Sequence, residues 1–175
     1  MLQQRPRIQP VLSKADKIVE ISGLILIIAI WCFTLFAYMR LPEIIPIHFN
    51  ARGKADDVGH KGTFLILPVI VTILYWGLKK LNKYPHIFNY MVTITEENAA
   101  HQYTVSTRMI RYLTFALLIV FSGIMVFIYL GAIGKADGMS QWFLPAALGL
   151  LLLPVLYAIL QRKDKSKGHG LKPVE

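Results

Sequence analysis

The chain has 175 residues but a single cysteine, ten acidic residues against nineteen Lys and Arg, and long stretches without any charge. Each scarcity narrows what it can be. With Cys32 alone, no intrachain disulfide forms and no paired-cysteine metal motif exists; its place in an apolar run makes it a small packing residue. After Glu20 no Asp, Glu, Lys, Arg or His interrupts residues 18–39, and none occurs in 64–78, 113–133 or 142–160. Carriers coupled to protons or ions place ionisable groups inside the bilayer, so this lack speaks against coupled transport. The hydroxyls that do occur there, Ser22, Thr34, Thr72, Thr114 and Ser122, can each bond a carbonyl four residues back. The chain has no Walker motif, Rossmann glycine pattern, nucleophile elbow, zinc-protease helix or internal repeat, so soluble-enzyme chemistry has no anchor and no cofactor is expected.

What is present is apolar length. Hydrophobic residues make up 55% of the chain and the mean hydropathy is +0.50, which places it in the membrane class. A helix needs about 20 apolar residues to cross a hydrocarbon core of roughly 30 Å. The pattern predicts an all-α integral membrane protein with four transmembrane helices at residues 18–39, 63–80, 113–133 and 142–160. The second is short and draws on Thr63, Lys79 and Lys80 at its ends. The first is too long for a signal-peptide core and has no cleavage site after it, so it reads as a retained helix.

The net charge of +9 is not a nucleic-acid footprint, because the cations follow the membrane. Fourteen of the nineteen Lys and Arg lie in the N-terminal segment, the connection after helix two and the C-terminal tail. By the positive-inside rule both termini and the connection 81–112 are cytoplasmic, and the loop 40–62 is extracytoplasmic. The expected organisation is a basic disordered N-terminus (1–13), a membrane domain (14–160) and a basic disordered tail (161–175). The expected location is the cytoplasmic (inner) membrane, with the lipid bilayer as partner and no nucleic acid.

Local signals refine this. Ser13 with Asp16 three residues on forms a capping box. Tyr38, Tyr75, Trp76 and Trp142 stand at aromatic-belt positions, and Pro68 and Pro154 should kink helices two and four. Phe88, Tyr90, Val92 and Ile94 alternate with polar residues, which predicts a short extended segment. Thr93 or Thr95, followed by Glu96 and Glu97, then starts a helix that runs unbroken into the third membrane span. On its cytoplasmic extension Glu97, His101, Thr104, Arg108 and Arg111 share one face, while Ala99, Ala100, Tyr103, Thr107 and Ile110 share the other. The second outer turn, residues 134–141, is long enough only to reverse the chain.

The loop 40–62 contains LPEIIPIHFNARGKADDVGHKG. Its sharpest chemical reading is a metal or hydrolytic site from His48, Asp56, Asp57 and His60, since imidazole and carboxylate suit zinc. The spacing matches no known signature, however. The alternative is a constrained loop. Pro42 and Pro46 hold an extended entry, Ile44, Ile45, Ile47 and Phe49 pack on the helix ends, and Asn50 to Gly53 turns the chain.

The residues Leu41-Pro42, Ile45-Pro46, His48-Phe49-Asn50, Gly53, Asp56 and Lys61, just after a first membrane helix, also carry a resemblance. This string resembles a bacterial polytopic membrane domain of unknown function (domain-of-unknown-function family 1648), shared with the N-terminal part of the Sdp toxin-immunity proteins. Asn89-Tyr90, Glu97-Asn98-Ala99, Gln102-Tyr103 and Arg108 look like the cytoplasmic part of stand-alone members. Immunity members protect a producing cell from a secreted toxic peptide and can hold a repressor at the membrane. The resemblance therefore implies a non-enzymatic membrane sensor or immunity-like binding protein. Pro42, Pro46, His48, Phe49, Asn50, Gly53, Asp56 and Asp57 would form a ligand-binding or structural loop motif, with His48, Asn50, Arg52, Asp56 and Asp57 meeting a secreted peptide or envelope protein. Glu97, His101, Arg108 and Arg111 would meet a cytoplasmic protein. The competing readings are an accessory subunit of an envelope complex and a metal-dependent membrane enzyme using His48 and nearby acids.

Overall fold

The computed structural model describes residues 5–166. Its frame is α1 (Lys14–Tyr38), α2 (Ile66–Leu81), α3 (Glu96–Ala132) and α4 (Phe143–Ser166), with strands β1 (Ile44–Phe49) and β2 (Ala55–His60) between α1 and α2. Short 3-10 turns at Lys61–Leu65 and Pro85–Ile87 lead into and out of α2. All four helices are long and apolar enough to cross a membrane, as expected of a multi-pass membrane protein. The expected all-α class needs one correction: the loop 40–62 contains a two-stranded antiparallel hairpin.

The helix surfaces are apolar on both sides. α1 turns Gly23, Ile27, Ile30, Thr34 and Ala37 inward, at alternating spacings of four and three residues. Ile21, Leu24, Ile25, Ile28 and Leu35 face outward. In water each exposed side chain would forgo roughly 1.5–3 kcal/mol of burial; hydrocarbon removes that cost. Cys32 is also exposed and does not fill the packing role its composition suggested. Tyr75 departs from the aromatic belt in the opposite sense: only 4% exposed, it points into the bundle, while Trp76 stays outside.

α3 is the axis, packing against α1, α2, α4 and β1. Its 37 residues span about 55 Å at 1.5 Å each, more than a bilayer core. The backbone N–H of Thr95 donates to Asn98 Oδ1 at 3.0 Å, so Asn98 supplies the carboxamide of the cap and the glutamates supply first-turn charge. The intramembrane hydroxyls satisfy themselves as expected: Thr34, Thr72, Thr114 and Ser122 donate to Ile30, Pro68, Ile110 and Leu118 carbonyls at 2.6–2.7 Å. Trp31 Nε1 donates to Thr72 Oγ1 at 3.0 Å, which ties α1 to α2.

Several local expectations change. Pro68 falls in the first turn of α2, where its missing N–H breaks no intrahelical bond, so no kink is required there; Pro154 does lie inside α4. Residues 88–95 form no strand, since no neighbouring strand takes their backbone groups. Instead Tyr90, Ile94, Ala99 and Tyr103 make a small core of their own. Where composition suggested disorder, residues 5–13 lie as a strap on that core. Arg5 Nη1 donates to the carbonyls of His86 and Phe88 at 3.1 and 2.6 Å, and Tyr103 Oη donates to the Pro6 carbonyl at 3.0 Å. α4 continues past the expected boundary to Ser166; the rest of the expected tail, 167–175, and residues 1–4 lie outside the described residues.

Candidate functional site

The hairpin is built by its turn residues. Asn50 N–H donates to the Lys54 carbonyl and Gly53 N–H to the Asn50 carbonyl, at 2.9 and 2.8 Å. Asn50 Oδ1 accepts the backbone N–H groups of Arg52 and Lys54 at 2.9 and 3.2 Å. Asn50 is thus consumed by the turn. Gly53 has φ +79 and its carbonyl accepts the Met139 N–H at 2.7 Å. A Cβ on Gly53 would stand 2.1 Å from the Met139 oxygen, and one on Gly138 2.2 Å from the Gly53 oxygen. The turn is therefore clipped, backbone to backbone, onto the α3–α4 connection, which does more than reverse the chain.

The strands divide the apolar residues unequally. Ile45 is 1% exposed and joins the bundle core with Leu41 and Phe64, and Phe49 packs against it. The Pro46 ring lies against Gly131 of α3. Ile44 and Ile47 stay exposed, contrary to the expectation that all four would pack on the helix ends. Alternation explains the split, because β-strand neighbours face opposite sides, and register shifts after Pro46 and His48 then re-aim the chain.

The polar residues of the hairpin form two separate surface clusters, a pair and a trio. His48 Nδ1 meets Asp56 Oδ1, with both side chains substantially exposed. Glu43 meets Lys61 Nζ at 2.8 Å and His60 Nε2 at 3.1 Å. The hydrogen bond from Lys61 holds the Glu43 carboxyl below the usual carboxylate range. His60 Nδ1 accepts the Gly62 N–H at 3.0 Å, and Asp57 Oδ1 accepts the Val58 N–H at 2.8 Å. His48, Asp56, Asp57 and His60 are accordingly taken up by different partners, and among the described residues no group of three or more His, Cys, Asp or Glu converges.

What the hairpin does create is a groove of about 500 Å³ against the neighbouring connection and the start of α4. Ile47, Phe49, Ile124, Phe143 and Leu144 give it apolar walls, and His48, Ser140 and Gln141 give it polar points. Asn50 and Gly53 line it mainly through the backbone they shape. Pro42 lies outside it. Sequence reading missed residues 139–144, because only the fold brings that connection beside the hairpin.

At the opposite end of the bundle, the four residues assigned to a partner face behave differently from one another. Glu97 is exposed and His101 half-buried. Arg108 and Arg111 are not on a free face: they are clamped to α1. Arg108 Nε and Nη2 donate to Asp16 Oδ1 and Oδ2, both at 3.0 Å, and Nη1 donates to Tyr157 Oη of α4 at 3.2 Å. Arg111 Nε donates to Glu20 Oε1 at 2.8 Å and Nη1 to Asp16 Oδ1 at 3.4 Å. The signal was legible as complementary spacing: acids four apart on one helix and arginines three apart on another, both near the same end.

The stretch of the chain that resembles known proteins includes the hairpin. Residues 25–72, from the middle of α1 through the hairpin to the first half of α2, match the family model described as Domain of unknown function (DUF1648). An uncharacterized protein of Archaeoglobus fulgidus is 35% identical over 75 residues, covering 38% of this chain and 41% of the relative. The match therefore spans about two fifths of that relative's length. No solved structure matches the chain.

Proposed function

We propose that this chain is a non-enzymatic membrane sensor or immunity-like binding protein that recognises a secreted peptide or envelope protein through the groove beside its hairpin. The groove carries the reading. It joins apolar walls to a few polar points, as recognition sites do, and its outer wall belongs to the part of the chain that matches the domain model. Among the described residues neither His48 Nε2 nor the Gln141 carboxamide is engaged in a hydrogen bond, so both are available to a ligand. The resemblance to the first part of the Sdp toxin-immunity proteins supplies the ligand class. The charge distribution supports a cytoplasmic-membrane location with both termini inside and the hairpin outside.

The test is genetic and uses the full chain. In its native host the gene is deleted and replaced by wild type, His48→Ala or Gln141→Ala, with membrane levels checked. Sensitivity to secreted-peptide fractions is then scored. The deletion is expected to raise sensitivity, and each variant to restore protection incompletely; about 1.4 kcal/mol lost at an anchoring contact is tenfold in affinity. Unchanged sensitivity and an unchanged envelope-stress response in the deletion strain would count against the reading.

A further inference from the structure

A second cavity lies at the other end of the bundle, between α1, α2 and α3, and it has features the hairpin groove lacks. It measures about 270 Å³ and narrows into a smaller inner chamber; Glu20, Lys79, Asn82 and Arg111 line both. Tyr75 lines the inner chamber, only 4% exposed, and its hydroxyl has no hydrogen-bond partner among the described residues. The Oδ1 of Asn82 is also buried and unpartnered, while its Nδ2 donates to the Thr107 carbonyl at 2.9 Å. Buried polar atoms are normally satisfied, so two at one cavity call for an occupant with donors and acceptors.

The charges specify its sign. Asp16 and Glu20 are matched by Arg108 and Arg111. Lys79 and Lys83, which also line the outer cavity, meet no carboxylate among the described residues. Lys79 Nζ lies 5.7 and 5.3 Å from the Tyr75 and Trp76 ring centroids, a cation–π contact that leaves its N–H groups able to donate. The cavity thus offers two cations that meet no carboxylate among the described residues, Lys83 in the outer part and Lys79 along both, together with a bare amide oxygen on Asn82 and the Tyr75 hydroxyl of the inner chamber. Basic pockets between membrane helices are suited to anionic headgroups.

We infer that this cavity binds a hydroxyl-bearing phosphate ester, its phosphate held by Lys79 and Lys83 and its hydroxyl donating to Asn82 Oδ1 with Tyr75 Oη as neighbour. The same chemistry comes from a glycerol-type anionic phospholipid or from a soluble polyol phosphate. The site does not depend on the hairpin groove.

The test uses the full-length protein, purified and delipidated in detergent. Phosphatidylglycerol, phosphatidylcholine and glycerol 3-phosphate are added separately, and bound ligand is read by native mass spectrometry and thermal shift. Lys79→Gln and Lys83→Gln are compared with wild type, and Lys80→Gln serves as the control, since Lys80 is exposed and lines neither chamber. Retention of phosphatidylglycerol over phosphatidylcholine, falling about fivefold with each pocket lysine and unmoved by Lys80→Gln, supports a lipid source. Binding of glycerol 3-phosphate with the same variant pattern supports a soluble source. Equal binding of both lipids with no effect of glycerol 3-phosphate overturns the inference, as does a loss in Lys80→Gln matching those in the pocket variants.

Discussion

Gly53 shows how one residue can be required for two reasons at once. Its φ of +79 belongs to the left-handed region, and its missing Cβ lets the Met139 backbone approach. Gly53→Ala is expected to cost about 2–4 kcal/mol from backbone strain and overpacking together, read as a lowered midpoint in thermal unfolding of the detergent-solubilised protein. Gly149→Ala is the matched control. It lies in α4 with nothing within 4 Å of an added Cβ, so it should be neutral or gain up to about 1 kcal/mol. Glu43 gives a prediction about pH. Its carboxyl is held below its ordinary value of 4.5, so the Lys61 contact contributes fully above that pH and is lost as pH falls through the lower folded value. The protection factor of the Lys61 amide, which donates to the Glu43 carbonyl at 2.8 Å, should therefore fall in acid once the intrinsic slowing of exchange is corrected for, and Lys61→Gln should remove that dependence. Asn50, His48 and Gly53 were all legible in the sequence as unusual. Their division of labour was not, since only the hydrogen bonds show that Asn50 serves the turn while His48 Nε2 stays available.

At the scale of elements, the clamp between α1 and α3 holds the most buried ion pairs among the described residues. Asp16 is 3% exposed in its side chain and Arg111 9%, and each keeps a second partner, Arg108 for Asp16 and Glu20 for Arg111. Arg111→Ala is therefore expected to destabilise by about 1–3 kcal/mol, less than a fully orphaned buried charge would cost, because Arg108 still holds Asp16. Pairing it with Asp16→Ala should cost clearly less than the sum of the two single changes, a non-additivity that a double-mutant cycle in thermal or denaturant unfolding measures. Helix existence followed from apolar length, and the continuous run of α3 from Glu96 followed from its cap and the absence of breakers. The segment 88–95 was legible only in part: its alternation promised an extended stretch, but with no strand beside it the aromatic ring of Tyr90 packs on Tyr103 of α3.

For the whole molecule, the charge distribution makes a topological prediction that cysteine labelling can check. In a Cys32→Ser background, Ala51→Cys in the hairpin turn should react with a membrane-impermeant thiol reagent added to intact cells, and Gln161→Cys should react only after permeabilisation. The reverse pattern would place the hairpin groove inside and remove its access to any secreted ligand. Composition and periodicity by themselves determined the membrane class, the four helices and the caps, because these depend on hydrocarbon thickness, helical repeat and the hydrogen bonds of near neighbours. The tertiary structure alone decided which apolar faces turn inward, that residues 139–144 complete the groove, and that Arg108 and Arg111 clamp α1 rather than face a partner. Those features join segments up to 97 residues apart, Ile47 and Leu144 across the groove, and their energies depend on burial and distance in space, which no local window of sequence contains.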